Sequence, residues 1–266
     1  MTKALGPVKD TLKNLNIESR LSPDLLAPAI ASLAKLKKLG FYVTEASTHG
    51  YYAKTRGLHL DMLFHELRRL PNLVGLFLRT SGRLVEATKQ VLADEIQRGC
   101  QLLQHLKAIH IDIDFAQYIF EHNSAEFIKS LSKDLKRLGT LPYLGAGDWR
   151  DLLDAQFGPT KLESLGSFMP FHQDLRSLTV QGFIPFIETK CPLLKELSIH
   201  SFSNNLQEMV SFCQVLKPLK DHRNLKRLRM FCYSNDLNSD QHAGDLTPEL
   251  QQVLGDGIDV EFHFVE

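Results

Sequence analysis

His110, Asp112 and Asp114 alternate along the run HIDID, and alternation in an extended strand sets all three on one face. Two carboxylates in an Asp-x-Asp pair can hold a divalent cation, as in nucleotide-sugar chemistry, which makes a metal-dependent enzyme using Asp112 and Asp114 one reading of the chain. The pair stands without a glycine-rich phosphate loop upstream, and one such pair is expected by chance in a chain of this length. Other catalytic signals stop short of a motif. His65-Glu66 is not followed by the second histidine of a zinc-protease helix, and Gly145-Ala146-Gly147 lacks the third glycine and preceding strand of a dinucleotide loop. There is no G-x-S-x-G elbow. Cys100, Cys191, Cys213 and Cys232 are far apart and set in apolar sequence, so they read as buried free thiols rather than zinc ligands, disulfides or activated nucleophiles.

Charge removes further classes. Lys and Arg number 31 and so do Asp and Glu, leaving no net field to draw in nucleic acid or an anionic membrane. Lys35, Lys37 and Lys38, with Arg68 and Arg69, form local basic clusters that fall at expected helix ends, where cations meet the helix dipole favourably. No apolar run is long enough for a membrane span, and MTKALGPVKD has no signal-peptide core, which favours a cytoplasmic or nuclear protein.

The elements that must position any site follow from a repeat. Leucine, two residues, an aliphatic, one residue and another apolar recur from Leu12, Leu36, Leu73, Leu106, Leu175, Leu194 and Leu225, with weaker versions from Leu135 and Leu162. In the weaker two the third apolar position slips by one, to Leu141 and Phe168. Leu-x-x-Leu alone would fit a helix, but the next step of two, as in Leu15/Ile17, Leu39/Phe41, Ile109/Ile111, Leu178/Val180 and Leu197/Ile199, is strand alternation. Helical sequence lies upstream of several motifs, at 29–38, 60–70, 85–106, 125–138 and 206–220. Helix then strand, repeated, predicts parallel strands joined by crossover helices. Pro71, Pro192 and Pro218 fall just before motifs, where a helix must stop. The step of 13 residues from Leu162 to Leu175 is too short for a strand, a crossover helix and a return, so 140–174 is where repeat boundaries are least defined. Within it, GDWRDLLDAQFGPT predicts a helix over 148–157 carrying Trp149 and Leu153 on one face.

The spacing between motifs runs from 13 to 37 residues, and that irregularity, with CPLLKELSIHSF (191–202) and LPNLVGLFLRTSG (70–82), resembles the ribonuclease-inhibitor-like class of leucine-rich-repeat proteins and the carboxy-terminal repeats of fungal F-box proteins. The resemblance implies an α/β solenoid, a horseshoe with a parallel sheet on the concave side and helices on the convex side. It would comprise an amino-terminal segment, 1–11, and one repeat domain with a continuous core, 12–266. It further implies a non-catalytic protein-recognition module, such as the substrate-receptor part of a ubiquitin-ligase component, needing no cofactor or metal. Only eleven residues precede Leu12, too few for an F-box, so a missing domain or a second subunit is expected at the 12–17 edge.

Residues flanking the inward positions of each strand would face a partner. Tyr42, Phe77, Arg79, His110, Asp112, Gln181, His200, Arg229 and Phe231 are therefore the candidate protein-binding set, rich in the aromatic and arginine side chains that anchor interfaces. At the other end, Ile258 to Phe264 alternates apolar and polar and predicts a terminal strand with Val260, Phe262 and Phe264 inward.

Overall fold

Among the described residues the motifs follow shortly after a helix or helical turn has stopped. After the helices the chain advances by three-residue hydrogen-bonded steps: Leu33 donates to Ile30 and Leu36 to Leu33, both at 2.9 Å, and Leu70 to Leu67 and Leu73 to Leu70 at 3.1 and 3.2 Å. This spacing closes a turn with fewer residues than an α-helix uses and aims the next residues into a strand. A computed structural model describes residues 6–18, 23–44, 60–81, 86–111, 124–141, 146–154, 159–168, 182–202, 206–233 and 239–265. They belong to two compact units, Met1–Leu135 and Lys136–Glu266.

In the first unit β1 (Asn14–Glu18), α1 (Pro23–Ala31), β2 (Lys38–Thr44), α2 (Leu60–Leu67), β3 (Gly75–Ser81), α3 (Glu86–Leu102), β4 (Ala108–Ile111) and α4 (Ser124–Ser130) alternate along the chain. The strands pair in sequence order and in parallel, with Leu15, Leu39, Leu76 and Ile109 in one register row and Ile17, Phe41, Leu78 and Ile111 in the next. All of these are buried except Leu15. Expected to be buried with the rest of its column, Leu15 is half-exposed because β1 has a described partner strand on one side only. Successive helices pack on one another, α1 on α2, α2 on α3 and α3 on α4.

The second unit repeats the scheme with β5 (Arg137–Leu141), α5 (Ala146–Asp154), β6 (Ser164–Phe168), α6 (Ile184–Lys190), β7 (Glu196–Phe202), α7 (Leu206–Val215), β8 (Arg227–Tyr233), α8 (Ser239–Leu254) and β9 (Asp259–Val265), again parallel throughout. Leu138, Leu165, Leu197, Leu228 and Val260 form its first buried row. The two weaker motifs are strands. The slip read at Leu141 is a register shift in β5, where Leu141 rather than Thr140 comes opposite Ser167 of β6. Ser167 takes an inward apolar slot, and its hydroxyl, like that of Ser201, is buried without a hydrogen-bond partner among the described residues.

Polar side chains tie three of the repeats to the one before at an equivalent position. Asn72 donates to the carbonyl of Ala34 at 2.8 Å, Ser132 to that of Gln104 at 2.6 Å and Asn224 to that of Pro192 at 2.8 Å. All three acceptors lie two residues before a motif leucine, so the turn carbonyls left over by the tightened helix end are satisfied by the next repeat.

Several expected helices are shorter than drawn. The segment 29–38 ends its helix at Ala31, and Lys38 opens β2 instead of closing a helix, while Arg68 and Arg69 do follow α2. The helix in GDWRDLLD is present as α5, with Trp149 and Leu152 buried and Leu153 half-exposed. Trp149 packs edge-on to Phe183 at 5.3 Å and lies 5.1 Å from Phe186 of α6. The motif from Leu175, including Leu178, Val180 and Gln181, lies outside the described residues.

Candidate functional site

The alternation that buries one side of each strand leaves the other side half-exposed, and no described helix covers it. In the second unit this face is ordered around rings. His200 of β7, Phe231 of β8 and His263 of β9 are register partners. Their rings stack at 4.7 Å and 10°, then at 5.0 Å and 16°. A strand spacing of ~4.8 Å is close to ring-stacking distance, so identical positions on adjacent parallel strands stack planar side chains with no adjustment of the backbone.

Beside this stack lies a charged network. Arg229 donates from Nε to Glu261 Oε2 at 2.8 Å, and His263 Nε2 lies 3.4 Å from the same oxygen. Arg227, two residues earlier, lies 3.0 Å from Asp259, 3.6 Å from Glu261 and 3.9 Å from Glu196. The hydrogen bond from Arg229 holds the Glu261 carboxyl below its usual range. Arg229 and Glu261 keep 33% and 35% of their side-chain surface exposed, so the pair is ordered yet open to a partner.

The face of the first unit has a different character. Phe77 of β3 and His110 of β4 are register partners, half-exposed, with ring centroids 6.1 Å apart and tilted by 37°. Arg79 is exposed and pairs in register with Tyr42, of which only the backbone is described. Asn16 lies across Gly40, on the neighbouring strand, so closely that a Cβ there would collide with its carboxamide oxygen. A Cβ at 40 would oblige the exposed Asn16 carboxamide to swing aside.

Of the candidate set, the structure brings His200, Arg229 and Phe231 together on one unit's face, and Phe77, Arg79 and His110 on the other's. Asp112, its companion Asp114, and Gln181 lie outside the described residues. His263 and Glu261 were not in the set, though their alternation with Val260 and Phe262 marked them as outward-facing.

The fold has a likeness among solved structures. A crystal structure of a protein from Bacteroides fragilis matches it with a TM-score of 0.52 at 14% sequence identity, over 96% of this chain and 66% of that one. The chain therefore spans just under two thirds of that protein's length, and at this identity the likeness is one of fold alone. No protein-family model and no curated protein matches the sequence.

The remaining chemistry is dispersed. All four cysteines are buried and none is in a disulfide. Burial pushes the Cys100 and Cys213 thiols up to about 12, so they carry no thiolate at neutral pH. Among the described residues no group of three His, Cys, Asp or Glu side chains is placed to hold a metal ion, and no helix is long and apolar enough to cross a membrane.

Proposed function

We propose that the chain is a non-catalytic protein-recognition module, a leucine-rich-repeat horseshoe of the ribonuclease-inhibitor-like class over 12–266, that meets its partner with the uncovered faces of its sheet strands. One observation carries the reading: the half-exposed stack of His200, Phe231 and His263 beside the ordered Arg229–Glu261 pair. Planar side chains held rigid before binding lose little entropy on contact, and aromatic and arginine side chains dominate the energetics of protein interfaces. The even charge balance favours a protein over nucleic acid as that partner. The motif resemblance to fungal F-box repeats points to substrate reception for a ubiquitin ligase in the cytoplasm or nucleus, and the buried, reduced thiols suit such a compartment. The 12–17 edge, where Leu15 is half-exposed, is the place for a further domain or subunit.

The test is affinity capture from the cells of origin with the wild-type chain and with an Arg229→Ala, Phe231→Ala double variant, quantified by mass spectrometry, with circular dichroism confirming an unchanged fold. A specific protein retained by the wild type should be lost from the variant. Equal retention by both, or a nucleic acid bound with a steep salt slope, would count against the proposal.

A further inference from the structure

One residue ahead of the strands forms a backbone rung across each unit. Its N–H donates to the carbonyl of the equivalent residue one strand earlier. In the first unit Lys37 donates to Lys13 at 2.6 Å, Val74 to Lys37 at 2.8 Å and Lys107 to Val74 at 2.9 Å. In the second, Glu163 donates to Lys136 and Lys195 to Glu163, both at 2.8 Å, and Lys226 to Lys195 at 2.9 Å. The residue after it shares the same acceptor, as Lys38 does on Lys13 at 3.0 Å and Glu196 on Glu163 at 3.1 Å. At β1 this rung starts: no described group accepts from the N–H of Lys13 or of Asn14. Because Lys38 bonds to the Lys13 carbonyl, parallel pairing turns the backbone of Leu15 and Ile17 toward β2 and that of Asn14 and Asn16 to the outer side.

The second unit shows which residue completes such a rung. The Glu163 carbonyl serves the amides of Lys195 and Glu196, while its carboxylate accepts from the Lys195 ammonium at 2.8 Å and from Lys136 at 2.7 Å. Two residues on, Leu165 lies beside Leu197 in the buried row. Lys13 holds the place at β1 that Lys195 holds at β7, and it is exposed, with no ion-pair partner among the described residues. Leu15 holds the place of Leu197, yet it is half-exposed. A neighbour that suits both carries a carboxylate and, two places later, an aliphatic side chain. We propose that β1 takes an extended segment of a protein partner as an added parallel strand, with glutamate or aspartate beside Lys13 and aliphatic residues beside Leu15 and Ile17. The proposal rests on the recognition reading and names what meets the 12–17 edge. The β9 strand of a second copy fits less well. With Val260 beside Leu15 it brings Ile258 to Lys13, and the shift of one residue that brings Asp259 there turns Val260 and Phe262 to the uncovered face.

Three blocked peptides are titrated into the full ¹⁵N-labelled chain: acetyl-Glu-Ser-Leu-Ser-Ile-amide, its glutamine counterpart, and the glutamate peptide with an N-methylated leucine. The amide resonances of Lys13 and Asn14 are followed by NMR. The glutamate peptide should move both, with half-saturation at about 1 mM. The glutamine peptide should bind about threefold to tenfold more weakly, and added salt should narrow that difference. In a parallel ladder the leucine N–H of the added strand donates to the Asn14 carbonyl, so N-methylation should abolish binding, whereas attraction of charge alone would survive it. In Lys13→Gln, a change at an exposed side chain, the two unmethylated peptides should bind alike. If that variant does not fold, the three peptides on the wild-type chain decide by themselves. No shift at Lys13 and Asn14, equal affinity of the glutamate and glutamine peptides, or undiminished binding of the N-methylated one would overturn the proposal. These outcomes separate from those of the capture experiment, which perturbs the other unit. Peptide addition by a chain that captures no protein would refute recognition through Arg229 and Phe231 and leave the strand site, and capture without peptide addition would refute the strand site alone.

Discussion

Replacing Gly99 by alanine sets two effects of opposite sign against each other. Gly99 is in the last turn of α3, and glycine in a helix costs about 1 kcal/mol relative to alanine, so propensity alone expects the variant to be more stable. Tertiary structure says otherwise. A Cβ at Gly99 would run into the face of the Phe64 ring, contacting Cδ2 and Cγ and lying 2.6 Å from Cδ1. Phe64 has 0% of its surface exposed and sits on α2, which packs against α3, so the ring has no solvent to swing into. Restoring ordinary contact requires the ring or the helix to retreat by roughly 1 Å, and overpacking of that kind costs about 1–3 kcal/mol.

Taking the propensity gain away from that penalty leaves Gly99→Ala destabilised by up to about 2 kcal/mol, or about 4 °C per kcal/mol in the melting of a unit of this size. Urea denaturation followed by circular dichroism measures it. The cause is then isolated with Phe64→Leu, which removes the ring face. In that background Gly99→Ala should cost less than it does alone, the two changes falling short of additivity because they share one contact. Raised stability of Gly99→Ala, or strict additivity with Phe64→Leu, would refute the argument from close approach.

Other expectations follow from single contacts. Glu163 accepts from Lys136 at 2.7 Å and Lys195 at 2.8 Å, and these bonds pull its carboxyl down from 4.5 to about 2. The folded state thus holds the charged form more tightly than the unfolded chain, so this stabilisation is present above pH 4.5 and is lost as pH falls toward 2. Glu163→Gln should flatten the stability profile across that window, lowering stability at neutral pH and changing little near pH 2, where the wild-type carboxyl is itself protonated. Leu197→Asp puts a charge in a site with 0% exposure, and a loss of about 4 kcal/mol or more, enough to unfold the second unit, should appear in denaturant titration. Gly255 follows α8 with a φ of 76° and has open space around it, so Gly255→Ala should cost about 1–2 kcal/mol from backbone conformation alone, read as a shift in the urea midpoint without a change in slope.

What could be read in the sequence was whatever depends on spacing alone. Leu39, Leu76 and Ile109 share a row because each is the second apolar residue of its motif, and no tertiary knowledge is needed to align them. Trp149 was legible for the same reason, being apolar in a polar helical stretch. Helix ends were not. Leu-x-x-Leu continues an α-helical pattern on paper, and only the three-residue hydrogen bonds at Leu33 and Leu36 show the chain leaving the helix at Ala31. Two helices escaped notice because local chemistry opposed them. Ser239–Leu254 contains Gly244 and Pro248, yet Leu246, Leu250 and Leu254 recur every fourth residue and are all buried, so packing overrides propensity. Ile184–Lys190 is short and apolar, which by pattern alone fits a strand equally well.

The site was half legible, and the division has a physical origin. Alternation tells which side of a strand a residue faces, so Phe77, Arg79, His200, Arg229 and Phe231 could be assigned one by one. Which of them touch depends on register, a relation between strands that are 24 to 37 residues apart in these repeats and that no local pattern encodes. Register makes His200, Phe231 and His263 a stack instead of three separate rings, and it sets Asn16 over Gly40. Once one column of leucines is aligned, every other row follows, because a parallel ladder with a common start fixes all later partners. Aligning Leu197, Leu228 and Val260 puts His200, Phe231 and His263 three residues further along in each strand. The slip at Leu141 marks the limit of that rule: one extra residue between Leu138 and Leu141 brings Leu141, not Thr140, opposite Ser167, so in β5 the column of leucines no longer predicts the row beyond it.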